Sequence, residues 1–171
     1  MTDHALTRLA PPVRLIARAI ELCKLIPYSL VAFLARFSIA ATFWKSGQTK
    51  IEGLAIDLFE GTYEFGLPSL SASAIPLFEE EYRLPLLPAE LAAQLAAFSE
   101  HLFPLLILLG LASRFSALAL FGMTLVIQLF VYPDAYPTHG VWAAVLLLLA
   151  AKGPGVLSID HLIARRYGLV G

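Results

Sequence analysis

The sequence predicts an all-α fold: a polytopic membrane bundle of four helices, with an interfacial amphipathic helix at each end and a structured outer loop. Three observations predict it. Hydrophobic residues make up 58% of the 171 positions and charged residues only 15%, where a soluble domain carries about a quarter. The mean hydropathy is +0.76. The apolar residues gather into four runs, near Tyr28–Trp44, Leu91–Leu111, Phe115–Tyr132 and His139–Ala151.

The chain divides into an N-terminal cytoplasmic or interfacial segment (1–27), a transmembrane domain (28–152, with its outer loop at 46–90) and a C-terminal interfacial helix (153–171). In the first segment, "PPVRLIARAIELCKLIP" sets Val13, Ile16, Ala17, Ile20 and Leu25 at helical spacing opposite Arg14, Arg18 and Glu21. That is the pattern of a helix lying in the interface plane, against the simpler alternative of an unattached cytoplasmic extension. A helix needs about 20 residues to cross some 30 Å of hydrocarbon. The second and third runs meet that length; the first is shorter, and the fourth needs to begin near Tyr136. A cleaved signal peptide over residues 14–44 is the competing reading, but Arg36 lies inside the apolar run, which also exceeds the usual signal length.

The outer loop is too long to be plain connection. Its "LFEEEYRLPLLP", residues 77–88, mixes acids with Leu77, Phe78 and Tyr82 and reads as a segment folding back as a lid. After the fourth run, "GPGVLSIDHLIARRYG" stops the helix and restarts one, with Ser158 as N-cap and Asp160 in its first turn. Arg8, Arg14, Arg18, Lys24, Arg114, Lys152, Arg165 and Arg166 all fall on one side of a four-crossing chain. Glu60, Glu64, Glu79, Glu80, Glu81 and Asp134 fall on the other. The Lys/Arg bias places both termini in the cytoplasm.

Several function classes drop out at this level. The net charge of −1 comes without a basic patch, which leaves no argument for nucleic acid. Cys23 is the single cysteine, so one chain holds neither an internal disulfide nor a CxxC pair nor a thiolate cage. His101 and His139 lack ligand partners at helical spacing, so no metal site is expected and bis-histidine haem is disfavoured.

The polar residues at membrane depth carry the functional reading, because a charge there costs about 2.5–3.5 kcal/mol and normally faces the interior. Arg36 and Glu100 each stand near the middle of a run, and antiparallel neighbours would bring them together as an ion pair. A register-fixing clamp weighs equally against a functional role for that pair. Arg36, Glu100 and His101 are therefore the candidate catalytic residues, and Gln94, Gln128, His139 and Trp142 the candidate ligand-binding ones. Between helices these would make a polar rim over an apolar throat. Trp44, Tyr132, Tyr136 and Trp142 read first as an interfacial belt, and Ala93, Ala96, Ala97, Gly110 and Gly122 as sites of close helix approach.

Three stretches resemble the DoxX family of small four-helix membrane proteins: "RFSIAATFWKSGQTKI", "LAAFSEHLFPLLILLGLASR" and "HGVWAAVLLLLAAKGPGVLSIDHLI". They include Arg36, Gly47, Lys50, Glu100, Gly110, Arg114, His139, Trp142, Gly153, Gly155, Ser158 and Asp160. The resemblance implies a membrane subunit or accessory of redox-linked systems, and with the ionisable groups at membrane depth the expectation is the membrane subunit of a quinone-linked oxidoreductase system in a bacterial inner (plasma) membrane. It also implies a suspected quinone cofactor and a partner redox protein that supplies electrons. Besides the lipid bilayer, further copies of the chain are an expected partner. The alternative is a non-catalytic membrane anchor or assembly factor that docks partners through its acidic loop. A small-solute transporter is disfavoured because no inverted repeat or pair of broken helices appears.

Overall fold

A computed structural model describes residues 11–57 and 61–169. Arg8 and Glu60 lie outside the described residues. Helix α1 (Pro11–Lys24) starts on two prolines, whose fixed φ suits a first turn, and it ends ahead of Pro27. Leu15, Ile16, Ile20 and Leu22 on it are uncovered. It meets α2 (Tyr28–Gln48) at a bend of 64°. Helix α3 (Ala89–Leu109) follows Pro88 and closes at Gly110, whose φ of +70° lets the Leu111 N–H return to Leu106 O at 2.9 Å. Helix α4 (Ser113–Val126) continues through a π-helical turn, Ile127–Val131. Helix α5 (Tyr136–Lys152) begins at Tyr136, as its length requires, and α6 (Ile159–Arg166) follows Ser158, whose Oγ accepts from the His161 N–H at 3.2 Å.

The chain is mostly helical. Two stretches are long and apolar enough to cross a membrane, Ala89–Leu109 and Ser113–Val131, and a third is reached if the bent α1–α2 pair is taken as one span. Helix α2 packs on α3 and α5, and α4 also packs on α3 and α5. Their shared interior holds Ala32, Ile39, Phe43, Ile107, Leu120 and Leu146. The outward surfaces carry Phe33, Phe37, Leu95, Phe98, Leu118 and Leu129, while Arg36, Lys50, Glu100, Ser113, Ser116 and Thr124 are buried. Large apolar groups outside and polar groups inside is the distribution expected when the solvent is lipid.

The all-α expectation needs correction in the outer loop. Strands β1 (Ile51–Asp57) and β2 (Thr62–Leu70) form an antiparallel hairpin, with Ile51 opposite Leu70 and Asp57 opposite Thr62. Tyr63, Phe65 and Leu67 alternate with Glu64, Gly66 and Pro68, a period-2 pattern that was present in the sequence. A Cβ at Gly53 would lie 2.5 Å from Leu67 O and one at Gly66 2.6 Å from Gly53 O, so the two glycines permit the strands to close at the register shift. Beyond the hairpin, Ala74–Pro76 and the π turns Leu77–Tyr82 fold back onto α3, where Ala74 and Phe78 pack on Ala92 and Ala93. Part of the expected lid segment thus lies against the helices.

Candidate functional site

The site is built where α2 runs out. Past Gln48 the backbone turns, with the Lys50 N–H bonded to Gly47 O at 2.9 Å, and the Lys50 side chain folds back along α2. Its ammonium donates to Ser46 O and Ser46 Oγ, both at 3.1 Å, and lies 2.7 Å from Glu100 Oε2. Ser46 Oγ donates to Glu100 Oε1 at 3.2 Å. Both charged side chains are under 5% exposed, at 3% and 4%. A buried pair of this kind is sustained by mutual attraction plus the hydrogen bonds around it.

Beside the pair, His101 is fixed at both ring nitrogens. Nδ1 lies 2.6 Å from Ala97 O, which only accepts, so Nδ1 carries the proton. Nε2, 2.9 Å from Gln48 Nε2, then accepts from that amide, and Gln48 Oε1 accepts from the Ile56 N–H at 2.8 Å. Trp44 stands edge-on to the imidazole at 4.9 Å between ring centres, and its Nε1 donates to Ile56 O at 3.1 Å. Gly47 makes the crossing fit: a Cβ there would sit 2.7 Å from His101 Cε1 and 3.1 Å from Glu100 Cβ. Sequence reasoning named Glu100 and His101 but missed Lys50, Gln48 and Ser46 as their partners. The signal was a lysine just past a span end, where a flexible stem can reach back into the interior.

A cavity of about 1340 Å³ opens along this flank of α2. Phe37, Ala40, Leu105 and Leu108 form its apolar end, and Ser46, Thr49, Lys50 and Glu52 its polar end, with β1 as the roof. Tyr82 also lines it. Glu100 and His101 do not; they stand behind Ser46, Lys50 and Gln48.

The expected Arg36–Glu100 pair does not form. Arg36 lies opposite the far end of α3, donating from Nε to Ile107 O (2.8 Å) and from Nη2 to Leu108 O (2.5 Å). Its Nη1 donates to Pro154 O and Leu157 O at 3.1 and 2.6 Å. Ile107 is two turns beyond Glu100, about 10 Å along the axis at 1.5 Å per residue. The expectation failed because α2 and α3 are staggered along their axes: Gly47, at the end of α2, crosses Glu100, which leaves Arg36 opposite Ile107 and Leu108. The physical role of Arg36 is to satisfy carbonyls that a helix end leaves unpaired. The same economy recurs nearby. Arg114 Nη1 donates to Ala150 O and Ala151 O at the end of α5, at 2.5 and 2.7 Å. The Asp160 carboxylate accepts from the Ala112 and Ser113 N–H groups at the start of α4, at 2.8 and 2.9 Å. Gly110 clears room for this junction, since a Cβ would lie 2.4 Å from Ser158 Cβ and 3.1 Å from Arg36 Cζ.

The remaining candidates divide. Gln128, on the π turn, donates to Pro133 O at 2.5 Å and accepts from His139 Nδ1 at 2.8 Å. His139 packs on Trp142, which packs on Phe43, with ring centres 5.0 and 5.4 Å apart. These three residues come together but do not line the cavity. Gln94 is exposed on α3 and joins neither group. Trp44 donates to the hairpin at Ile56 O and Trp142 packs on Phe43, and both rings are half-buried.

Apolar helices that turn their leucines outward and bury charge define a small helical membrane protein. The DoxX family profile matches residues 31–133. The chain belongs to the DoxX family. An uncharacterized protein of Haemophilus influenzae is 33% identical over 90 residues, 48% of this chain and 60% of the relative's length. The matched region therefore spans somewhat less than two thirds of that relative. No solved structure matches the chain.

Proposed function

We propose that this protein is the membrane subunit of a quinone-linked oxidoreductase system, with four crossings, both termini in the cytoplasm of a bacterial inner membrane, and a lipid-soluble ligand held in the α2–β1 cavity. The observation that carries this reading is the gradient within that cavity, from Phe37, Ala40, Leu105 and Leu108 to Ser46, Thr49 and Lys50. An apolar throat with a few polar groups at one end suits a molecule with an isoprenoid-like tail and a polar head. The residues present fit a quinone: the Lys50 ammonium puts positive charge at the polar end, where it would attract a carbonyl oxygen, and Glu100 balances the lysine from behind. A bound quinone would supply two-electron, two-proton chemistry, with electrons coming from a partner redox protein. Of the sequence candidates, Glu100 and His101 belong to this site as the buried acid and its neighbour. Arg36 belongs to the scaffold.

The test is saturable quenching of Trp44 fluorescence by decylubiquinone in detergent, since Trp44 lines the cavity. Micromolar binding in the wild type, lost in Trp44→Phe as signal and weakened about tenfold in Lys50→Met, supports the reading; about 1.4 kcal/mol corresponds to that factor. Quenching that never saturates removes it. One observation favours the non-catalytic anchor instead: Arg36, Arg114 and Asp160 are all engaged by helix ends, which is scaffold work. Under that reading a Lys50→Met, Glu100→Met double variant keeps recruiting its partner while changes in the outer loop abolish recruitment.

A further inference from the structure

The roof of the cavity is tied to α2 through the backbone of one residue. The Ile56 N–H donates to Gln48 Oε1 at 2.8 Å, and the Ile56 carbonyl accepts from Trp44 Nε1 at 3.1 Å. Trp44 and Gln48 stand one helical turn apart on α2 and so share a face, which lets them hold the strand together. Ile56 itself pairs with Tyr63 near the far end of the hairpin. Gln48 differs from Trp44 in being committed on both sides of its amide: Oε1 to Ile56, and Nε2 to His101 Nε2 at 2.9 Å. His101 is fixed in turn at Nδ1, 2.6 Å from Ala97 O, and against the edge of the Trp44 ring. A neutral imidazole fits this chain of donors and acceptors in one way. Nδ1 carries the proton, Nε2 accepts, and the Gln48 oxygen is thereby turned toward the strand.

We propose that His101 and Gln48 form a proton-operated latch on the cavity roof, in which charging His101 turns the Gln48 amide over and frees Ile56. The inference concerns regulation of the α2–β1 cavity and rests on the reading of that cavity as the ligand site. An imidazolium donates from both nitrogens. Its Nε2–H would face the Gln48 amide nitrogen, donor against donor, across the same 2.9 Å. Turning the amide over gives the charged donor an acceptor, and a charge-assisted bond is the stronger of the two on offer. The oxygen then lies on the His101 side, and the amide NH2 meets the Ile56 N–H. A half-buried N–H without an acceptor must reach water, which it does only if the strand lifts. Ile56 keeps the Trp44 bond alone, and the hairpin end loosens over the cavity. The proton comes from water and returns to it, so the step is reversible. Histidine suits the task because its ordinary charge change falls between about pH 5 and pH 8. Other titratable groups stand nearby. Glu100 adjoins His101 on α3 with Lys50 paired to it, while Lys45 from α2, Tyr82 from the π turn, and Glu52, Asp57 and Glu64 from the hairpin line the cavity. Reading the imidazole directly separates its charge change from theirs.

The experiment uses the full chain in nanodiscs without ligand. Hydrogen exchange at the Ile56 amide, corrected for the intrinsic effect of pH, is followed from about pH 8 to pH 5, and imidazole NMR shifts report the charge of His101 over the same range. In the wild type, Ile56 exchange should rise about tenfold as His101 charges, as loss of one ordinary hydrogen bond predicts. His101→Phe keeps a ring against Trp44 and cannot charge, so Ile56 stays protected throughout. Gln48→Leu removes the acceptor, so Ile56 exchanges fast at every pH. Gln48→Glu separates a latch from a merely structural contact: a carboxylate has an oxygen for each donor, so the roof stays tied when His101 is charged. Circular dichroism checks the fold of each variant, and the wild type with Gln48→Glu, the smallest change, suffices if another fails to fold. Ile56 exchange that does not follow the charge of His101 in the wild type overturns the latch, as does a His101 that stays neutral down to about pH 5. Opening that persists in His101→Phe or in Gln48→Glu overturns it too. Decylubiquinone binding is measured separately at about pH 8, where the neutral imidazole keeps the roof tied. Binding without pH-dependent opening removes the latch and spares the cavity reading, and opening without binding does the reverse.

Discussion

The side chain that a single position must exclude tells most about the site. Gly47 has no room for a methyl group against His101. Gly47→Ala should therefore destabilise the protein by about 1–3 kcal/mol, the usual range for overpacking, seen as a lower melting midpoint in detergent. It should also detach His101 from Gln48, which the imidazole NMR shifts would report. At the ion pair, Lys50→Met alone should cost about 3–5 kcal/mol because it strands the Glu100 charge, and adding Glu100→Met should restore much of the loss. Arg36 gives the contrasting outcome. It shares no partner with Glu100, so Arg36→Leu and Glu100→Leu should add to within about 0.5 kcal/mol in a stability cycle. Coupling well beyond that would restore the pair read from the sequence.

Among elements, the governing problem is how helix ends are satisfied in a medium short of water. Three charged side chains from other segments solve it: Arg36 for α3, Arg114 for α5 and Asp160 for α4. Asp160→Asn keeps the shape but drops the charge facing two N–H groups at the start of α4. It should cost about 1 kcal/mol in thermal unfolding and raise hydrogen exchange at Ala112 and Ser113 first. Unchanged exchange there would mean that the carboxylate is not the cap. Helices α2, α3, α4 and α5 were legible as apolar runs, with ends within a few residues of those seen. The hairpin was not, because its alternation of Tyr63, Phe65 and Leu67 is short, interrupted by glycine and proline, and set in a loop with no apolar core beneath it.

Across the whole molecule, orientation is the property on which the proposed function depends. Cys23 is exposed on α1 and is the sole cysteine, which makes it a clean reporter. It should resist a membrane-impermeant maleimide added to intact cells and react in inverted vesicles. Thr62→Cys in a Cys23→Ser background, at the start of β2, should behave in the opposite way. The same pattern for both positions would reject the placement of the acidic loop outside.

Composition, apolar run length and the Lys/Arg bias were enough to reveal a helical membrane chain, its helix positions and the rarity of its buried charges, since these follow from the cost of placing polar groups in hydrocarbon. Which charges meet was decided only in three dimensions. Glu100 finds Lys50 because the chain past Gln48 turns and a long stem reaches back, and Arg36 meets Ile107 and Leu108 because α2 and α3 are staggered so that Gly47, not Arg36, crosses Glu100. Pairing depends on axial offset between helices, and a residue's distance from the middle of its own run does not specify that offset.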